Sequence, residues 1–370
     1  MRFSLRQGAA IAKPGEPMAV LVLGATGFVG SALCAALVSA GETVRGVSRR
    51  GDPDGVSGVQ WLAGDVRTPE SLSEALANVD CAYYLVHSMG HSGGNFRETE
   101  LRCAASVARW AAAGGVRRIV YLGGVAPAGV PSEHLASRLE VGAILRAGPV
   151  PALELRAAMI VGNGSASWKI LRDLGLRLPF MVLPRWLESR CCPIALPDVV
   201  TALLDARTLP LIESRWFDVP GQELLSVREM LMIVGELQGR RIPAVRVPLL
   251  TPRLSAAWLK LVSGADYDVA RELVLGLAGD LLPQDRRYWE ITGHSPMWSF
   301  RAAATHSLQT ERRQRGIRGW LGRREERAIL RLTRQRGQGN PPGLENPCRD
   351  EKTRWASRTG GGRRVPTTRL

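Results

Sequence analysis

The stretch that decides the fold reads Val20-Leu21-Val22-Leu23-Gly24-Ala25-Thr26-Gly27-Phe28-Val29-Gly30. An apolar run of strand length enters a glycine turn, and an alanine-rich pattern typical of a helix leaves it. Gly24 allows a tight bend, Gly27 lets the backbone come close to a pyrophosphate, and Gly30 lets the helix pack against the strand. The helix N-terminus adds unpaired N–H groups and the positive end of a dipole. We predict that this turn binds a dinucleotide; the alternative is an ordinary strand-to-helix turn that binds nothing.

Strands and helices alternate over the first half of the chain. The sequence predicts strands at 18–24, 43–47, 59–62, 81–86, 118–122 and 152–157, and helices at 28–40, 95–113 and 132–147. This alternation is typical of a parallel, doubly wound sheet with right-handed crossovers. We therefore expect an α/β fold of the Rossmann type with a small C-terminal substrate-side subdomain.

Composition and pattern divide the chain into four regions. We expect a disordered leader at 1–17, an NAD(P)-binding Rossmann domain at 18–165, a substrate-side region at 166–307 that partly interleaves with the sheet, and a basic, largely disordered tail at 308–370. The substrate-side region is predicted to begin with an irregular stretch through Pro179, Pro184 and Pro193. It continues with a strand at 215–219, a helix opened by a capping box at 226–229, and helices after Thr251 and at 266–277. A charged helix is predicted within 311–336.

The basic charge is concentrated at the C-terminal end. The net charge is +15, and 17 Lys and Arg against 6 Asp and Glu between Glu311 and Leu370 supply +11 of it. No aromatic ladder or binding motif accompanies these charges, so we expect no specific nucleic-acid binding and interpret the tail as a solvated extension. The alternative is that the tail contacts RNA or an acidic membrane surface.

The cysteines and the hydropathy favour a protein of the reducing cytoplasm. Cys34, Cys81 and Cys103 fall within apolar strand or helix patterns and are typical of small core residues, and no CxxC pair occurs among the six cysteines. We therefore expect no metal site. No apolar run approaches the roughly 20 residues of a membrane span. The leader lacks the apolar segment of a secretory signal, and a mitochondrial transit peptide is the alternative for it.

Ser48-Arg49-Arg50 follow the second predicted strand, where NAD-preferring folds place an acid for the ribose hydroxyls. Arginine offers charge and hydrogen-bond donors to a 2′-phosphate instead. The sequence thus favours NADP(H) over NAD(H) as cofactor, with Ser48 and Arg49 among its contacts. The alternative is that both arginines are solvated loop charges.

Two further loops follow predicted strands at their carboxyl ends, where ligands of open α/β sheets bind. Asp65 follows the third strand, and it either accepts a hydrogen bond from the adenine amino group or caps its own turn. The loop from Met159 to Ser165 follows the sixth strand and is expected to line a substrate pocket.

Four motifs together resemble the extended and atypical short-chain dehydrogenase/reductase superfamily. They are Gly24–Gly30, Gly64-Asp65-Val66, Tyr83-Tyr84-Leu85-Val86-His87-Ser88-Met89 and Pro193-Ile194-Ala195-Leu196-Pro197-Asp198-Val199. Within that superfamily the chain is most similar to bacterial NAD(P)-binding proteins related to NmrA-like regulators and to the NADPH-binding accessory subunit of respiratory complex I. The resemblance spans residues 18–307. It implies NADP(H) at the glycine turn, Asp65 and Val66 beside the adenine, and Val86, His87 and Ser88 beside the ribose and nicotinamide.

The chain departs from the superfamily at its catalytic residues. A working member has a serine or threonine after the fifth strand and a Tyr-x-x-x-Lys on the next helix, where the tyrosine exchanges a proton with the substrate as hydride moves. Here Gly123-Gly124 follow the fifth strand, and His134 and Arg138 stand in place of the tyrosine and lysine. Because histidine can act as an acid or base near neutral pH, His134 and Arg138 are the catalytic candidates; the alternative is a pair of surface helix residues. The tyrosines inside predicted strands are expected to pack: Tyr83, Tyr84 and Tyr121.

Three functions are compatible with this pattern. The first is an NADP(H)-dependent oxidoreductase acting on a small carbonyl or quinone-like substrate. The second is a non-catalytic NADP(H)-binding redox sensor or assembly protein with a regulatory protein partner, and the missing catalytic set favours it. The third is a sugar-nucleotide epimerase or dehydratase, which would need the same missing tyrosine.

Overall fold

The computed structural model describes residues 18–51, 55–87, 96–177, 181–183, 185–240, 244–246 and 279–313. All of them lie in the unit Met1–Leu330. The predicted leader, Ser88, the helices predicted after Thr251 and at 266–277, and the tail beyond residue 313 lie outside the described residues. None of the described helices is long and apolar enough to cross a membrane.

Thirteen strands and nine α-helices are described. The strands are β1 (Ala19–Leu23), β2 (Val44–Ser48), β3 (Val59–Ala63), β4 (Val79–Tyr84), β5 (Arg118–Gly124), β6 (Ala152–Ala157), β7 (Ile160–Val161), β8 (Met181–Leu183), β9 (Arg190–Cys191), β10 (Ile194–Ala195), β11 (Arg215–Asp218), β12 (Leu225–Ser226) and β13 (Ala244–Arg246). The helices are α1 (Phe28–Ser39), α2 (Ser73–Leu76), α3 (Phe96–Ala113), α4 (Glu133–Arg146), α5 (Ala166–Arg177), α6 (Leu196–Thr208), α7 (Val227–Leu237), α8 (Arg287–Thr292) and α9 (Phe300–Arg313). Short 3₁₀ turns span Pro69–Leu72 and Arg185–Glu188.

Seven parallel strands form the main sheet in the order β11-β6-β5-β4-β1-β2-β3. This confirms the predicted Rossmann-type α/β fold. Strand β1 lies between β2 and β4. The chain first adds β2 and β3 on one side of β1, and then crosses over to add β4, β5, β6 and β11 on the other side. That reversal is the topological switch point where open α/β sheets bind ligands. The other strands form three short pairs: β7 with β10, β9 with β12 and β8 with β13.

Helices cover both faces of the sheet. Apolar residues of α1, α6 and α8 form one buried cluster with one face, and those of α2, α3 and α4 form another with the opposite face. Every residue of β1 is buried, because helices cover both faces of the sheet. A parallel strand that is buried on both sides needs an unbroken apolar run, which is what the sequence of β1 provides. Cys34, Cys81 and Cys103 are buried free cysteines, as the sequence predicts, and Cys34 and Cys81 belong to the first of these clusters.

A third apolar cluster joins α5, α7 and α9. Helix α5 corrects the sequence prediction, which placed an irregular stretch from residue 166 onward. Trp168, Leu171 and Leu174 recur at helical spacing and face α7 and α9 across this cluster. Helix α9 continues past residue 308, where the tail was predicted to begin. Glu311 on α9 accepts hydrogen bonds from Trp168 Nε1 at 3.0 Å and from Arg172 at 2.6 Å.

Two strand ends also differ from their predicted positions. Strand β4 runs two residues earlier than predicted, so Leu85, Val86 and His87 lie beyond its carboxyl end. Strand β5 includes Gly123 and Gly124, which pair with Arg156 and Ala157 of β6. The sequence placed both glycines after the strand because glycine is rare inside strands.

Glu154 of β6 is fully buried and explains those glycines. Its carboxylate lies 2.8 Å from Arg156 Nε and 2.9 Å from Arg146 Nε, so the charge is paired on both sides. A Cβ on Gly123 would lie 2.8 Å from the carboxylate, and a Cβ on Gly142 of α4 would lie 2.5 Å from it. The two glycines therefore make the space in which α4 packs over a buried ion pair.

We expect Gly142→Ala to lower the free energy of unfolding by about 1–3 kcal/mol, because the new methyl group would displace a buried, paired carboxylate. Urea unfolding of the variant measures this change. Gly129→Ala is the matched control, since a Cβ there meets nothing within 4 Å, and it should stay within about 0.5 kcal/mol of the parent. Equal stability of the two variants would contradict the packing described for Glu154.

Candidate dinucleotide-binding site

The glycine turn after β1 leaves no room for a side chain at Gly24 or Gly30. Gly24 has a φ of +89°, and a Cβ there would lie 2.7 Å from the carbonyl oxygen of Leu85. A Cβ on Gly30 would overlap the carbonyl group of Gly24. The Gly27 amide donates to the Gly24 carbonyl at 2.9 Å and closes the turn. Gly24 and Gly30 thus have steric reasons of the kind that the sequence analysis gave for them, whereas the approach of a pyrophosphate to Gly27 stays a prediction.

The N-terminus of α1 fits a phosphate group. The N-cap residue is Gly27, which has no side chain to bond the first amides of the helix. Thr26 and Gly27 are exposed, while Ala25 is buried and Val29 is half-buried. The helix therefore presents unpaired N–H groups and the positive end of its dipole at an accessible surface, which is the arrangement that binds pyrophosphates.

Phe28 connects the turn to the loop predicted to line a substrate pocket. A Cβ on Gly162 would lie 2.7 Å from the Phe28 ring, and one on Gly164, whose φ is +105°, would lie 3.0 Å from it. The ring therefore packs directly on that loop. This contact places the Met159–Ser165 loop beside the dinucleotide turn at the carboxyl edge of the sheet.

Ser48 and Arg49 differ in their surroundings at the end of β2. Ser48 is buried, and its Oγ accepts a hydrogen bond from the Arg50 amide at 3.2 Å while its carbonyl accepts one from the Gly64 amide at 3.0 Å. Ser48 thus holds the loop. Arg49 is exposed, and its positive charge contributes to lowering the pKa of Asp65.

Asp65 caps its own turn, which is one of the two alternatives left open by the sequence. Its carboxylate accepts a hydrogen bond from the Arg67 amide at 3.0 Å and forms an ion pair with the Arg67 guanidinium at 2.6 Å. The hydrogen bond from the Arg67 side chain is the largest cause of the lowered pKa of Asp65. Val66 is half-buried and packs against the core cluster beneath α2 and α3.

The segment after β4 runs beside the glycine turn. The Leu85 amide donates to the Leu23 carbonyl at 2.9 Å, and the backbone from Leu85 to Val86 is what excludes a side chain at Gly24. Val86 and His87 are half-buried at this edge. His87 therefore lies at the switch point between β1 and β4, as its predicted place beside the ribose and nicotinamide requires.

Helix α4 brings His134 and Arg138 to the same edge. Arg138 donates through a terminal guanidinium nitrogen to the Leu122 carbonyl at 3.0 Å. The His134 ring lies 4.5 Å from the Phe96 ring and 5.8 Å from the His87 ring, measured between centroids. Within the part of the chain that the structure describes, the buried Nδ1 of His134 has no hydrogen-bond partner.

Glu100 and Ser137 belong to this cluster, and the sequence reasoning missed both. Nδ1 of His87 lies 3.5 Å from Oε1 of Glu100, and Ser137 Oγ donates to Oε2 of Glu100 at 2.6 Å. Glu100 shares the buried face of α3 with Cys103, Ala104 and Val107. A carboxylate on an otherwise apolar helix face was the signal available in the sequence.

Burial is the largest influence on the pKa of His87 and lowers it below the usual value for histidine. Glu100 opposes this shift because its negative charge favours the imidazolium. The tyrosines of β4 and β5 are buried in the core as predicted, and burial raises the pKa of Tyr121 to about 12.

The chain has a parallel Rossmann-type sheet, a glycine turn and an uncapped helix N-terminus, which is an arrangement typical of dinucleotide-binding α/β proteins. Residues 20–144 match the model of the NAD dependent epimerase/dehydratase family. This match covers less than half of the chain, and within that region it agrees with the predicted resemblance to the extended short-chain dehydrogenase/reductase superfamily. The narrower similarity to NmrA-like regulators and to a complex I subunit stays a prediction.

Two curated relatives match shorter segments. A 2-alkyl-3-oxoalkanoate reductase from Stenotrophomonas maltophilia (strain K279a) is 32% identical over 107 residues, which are 28% of this chain and 32% of that protein. Sterol demethylase protein B from Methylococcus capsulatus is 33% identical over 132 residues, 32% of this chain and 39% of that protein. The chain thus spans about a third of the length of the curated relatives it matches.

Among solved structures, a UDP-glucuronic acid 4-epimerase from Bacillus cereus in complex with NAD is similar in fold. The TM-score is 0.60, the sequence identity is 13%, and the alignment covers 79% of this chain and 98% of the epimerase. At this sequence identity the comparison shows a similarity of fold alone.

We expect Gly24→Ala to weaken dinucleotide binding by about tenfold or more, because the methyl group would push the turn away from the β4 backbone. Gly41→Ala is a matched control, since Gly41 also has a positive φ, of +81°, but a Cβ there meets nothing within 4 Å. Both variants should lose about 1 kcal/mol of stability from backbone strain. Fluorescence titration with NADH and NADPH measures the difference, and unchanged affinity in Gly24→Ala would contradict the site.

Proposed function

We propose that this protein is a nicotinamide-dinucleotide-dependent enzyme of the epimerase/dehydratase type, whose reaction begins with hydride transfer at a secondary alcohol or ketone carbon. The observation that carries the proposal is the glycine turn, whose exposed helix N-terminus faces outward at the switch point between β1 and β4. The Met159–Ser165 loop packs on Phe28 of that turn, so a substrate held by the loop would lie beside the cofactor.

The comparisons favour a sugar nucleotide as substrate over the carbonyl or quinone-like substrate that the sequence analysis placed first. The matching family model describes epimerases and dehydratases, and the solved structure of the same fold is a sugar-nucleotide epimerase. One observation supports a second candidate, reduction of a 3-oxo acid, because a curated relative named as a 2-alkyl-3-oxoalkanoate reductase is 32% identical over 107 residues.

Cofactor titration followed by substrate assays tests the proposal. The protein would be titrated with NADH and NADPH, then incubated with UDP-glucose or UDP-glucuronic acid and NAD⁺, and separately with a 2-alkyl-3-oxoalkanoate and NADPH. An epimerase interconverts the sugar nucleotides with no net change in cofactor, whereas a reductase consumes one NADPH for each ketone. Failure to bind either dinucleotide would refute the proposal. Binding without turnover of any substrate would favour the non-catalytic sensor instead.

We further propose that NADP(H) is the preferred dinucleotide, because Arg49 is exposed at the end of β2 and no acid occupies the adjoining positions 48 and 50. The solved epimerase carries NAD, so the preference rests on Arg49. We expect Arg49→Ser to raise the Kd for NADPH about tenfold, the loss of one charge-assisted phosphate contact, and to leave the Kd for NADH within about twofold.

Arg50→Ser is the matched control, since Arg50 is a neighbouring exposed arginine of the same loop. The Arg49 variant should weaken NADPH binding more than the control does. If the two substitutions had equal effects, Arg49 would contribute only to the general positive charge of the loop and would make no specific contact with the phosphate of NADPH. Tighter binding of NADH than NADPH by the unmodified protein would refute the preference.

A further inference from the structure

The carboxyl edge between β1 and β4 holds a buried acid–base cluster. His87 lies three residues beyond the end of β4, and the backbone just before it packs on Gly24 of the dinucleotide turn. The His87 side chain is 22% exposed and that of Glu100 only 11% exposed. Part of the histidine side chain is therefore accessible, while the carboxylate that it contacts is more deeply buried.

Glu100 is held in a fixed orientation. Ser137 is fully buried, and its hydroxyl group donates a hydrogen bond to Oε2 of Glu100 at 2.6 Å. The other carboxylate oxygen, Oε1, faces Nδ1 of His87 at 3.5 Å. That distance is at the outer limit of a hydrogen bond, and such contacts tighten when a ligand closes a site. A carboxylate against Nδ1 fixes the tautomer with the proton on Nδ1 and leaves Nε2 as the basic nitrogen.

We propose that His87 is the proton-transfer group of the dinucleotide site and that Glu100 is the residue that positions and polarises it. The pair would take the role of the superfamily's tyrosine and lysine. The inference rests on the proposed function, because it requires a nicotinamide dinucleotide at the glycine turn.

The chemistry balances for a secondary alcohol. The nicotinamide ring, when bound, supplies the acceptor for the hydride that leaves the carbinol carbon with its electron pair. Nε2 of His87 takes the hydroxyl proton, the C=O bond forms, and the alcohol is oxidised by two electrons. Glu100 stabilises the imidazolium through Nδ1–H. In the reverse direction the same imidazolium returns the proton to the carbonyl oxygen as the carbon is reduced.

His134 is less suited to this role, although it stands at the tyrosine position. Its buried Nδ1 has no partner among the described residues, and its ring packs against Phe96 and His87. Among the residues that the structure describes, no carboxylate forms an ion pair with the His134 ring that would fix its tautomer. Arg138 bonds the Leu122 carbonyl and does not release a proton at any accessible pH. We therefore assign His134 to packing beside His87.

The groups that face His87 come from α3 and α4. Glu100 of α3 raises the pKa of His87, whereas burial lowers it most and the charges of Arg138 and His134 of α4 lower it further. The net effect is a pKa of His87 below the usual value for histidine, which favours the neutral imidazole that a proton acceptor requires. Removing the Glu100 charge should lower the pKa of His87 again, since the imidazolium loses its stabilising partner.

Proton NMR with ¹⁵N-labelled histidine tests the pair without any turnover. The chain has five histidines, and His87→Gln assigns the signal of His87. We expect His87 to carry its proton on Nδ1, to titrate about 1 pH unit lower in Glu100→Gln, and to shift on addition of NADH or NADPH. Protonation on Nε2 alone, or a titration unchanged in Glu100→Gln, would overturn the proposal.

Asp205→Asn is a matched control. Asp205 lies 2.6 Å from His294 Nδ1 and forms a second histidine–carboxylate ion pair within the described part of the chain. It lies at the C-terminal end of α6, where Arg118 at the start of β5 bonds the carbonyl groups of Ala206 and Arg207. That pair is thus at the amino edge of the sheet, away from the site, and Asp205→Asn should leave the His87 signal unchanged.

Kinetics provide the second readout, with whichever substrate above is turned over. We expect His87→Asn to lower kcat by about 10²–10⁴-fold while the Kd for NADPH stays within about threefold. In alcohol oxidation, activity is lost as pH falls through the pKa of the base, and this loss forms the acidic limb of the pH–rate profile. Glu100→Gln should move the acidic limb to lower pH. A variant that is merely misfolded would lower kcat without moving the limb.

The outcomes separate the two proposals. If neither dinucleotide binds, the proposed function fails, while the NMR tautomer and titration still decide whether the His87–Glu100 pair exists. If the protein is active and His87→Asn retains its kcat while His134→Gln loses it, the proton transfer belongs to His134 and the present assignment is overturned.

Discussion

The structure depends on the backbone packing at the glycine turn, where three chain segments meet without room for a Cβ. Gly24 lies against the backbone after β4, and Gly30 lies against the Gly24 carbonyl. Strand β1, helix α1 and the segment after β4 therefore meet through close main-chain contacts, in addition to the side chains that they share in one core cluster. These backbone contacts set the separation between the helix N-terminus that would hold phosphates and the segment that carries His87.

The sequence predicted the parts of the fold that depend on local chemistry. The apolar run of β1 and the α1 helix ended by Gly41 are of this kind, since a buried parallel strand and a left-handed helix end leave direct signatures. Helix α5 was not predicted, because its apolar face is matched by residues far along the chain: Trp168 bonds Glu311, 143 positions away. The prolines near α5 obscured a helix that tertiary packing stabilises.

As with the fold, the sequence predicted those parts of the candidate site that depend on local geometry. Each glycine of the turn was identified from the geometry that it must adopt, and His87 from its place after β4. Glu100 was missed because its partners, His87 and Ser137, come from other elements, with Ser137 lying 37 residues away on α4. Asp65 could equally have contacted a ligand or its own turn, and only the position of the Arg67 side chain distinguishes these alternatives.

The absent catalytic residues have a packing explanation. A serine at Gly124 would place its Cβ 2.6 Å from the Leu135 side chain, and one at Gly123 would meet the buried Glu154 carboxylate. A side chain at the end of β5 would therefore require Leu135 or the paired Glu154 carboxylate to move. A phenol needs a nearby cation to act near neutral pH, whereas an imidazole titrates there already and needs only an orienting carboxylate. A site built around His87 and Glu100 therefore requires neither a lysine on α4 nor a serine on β5.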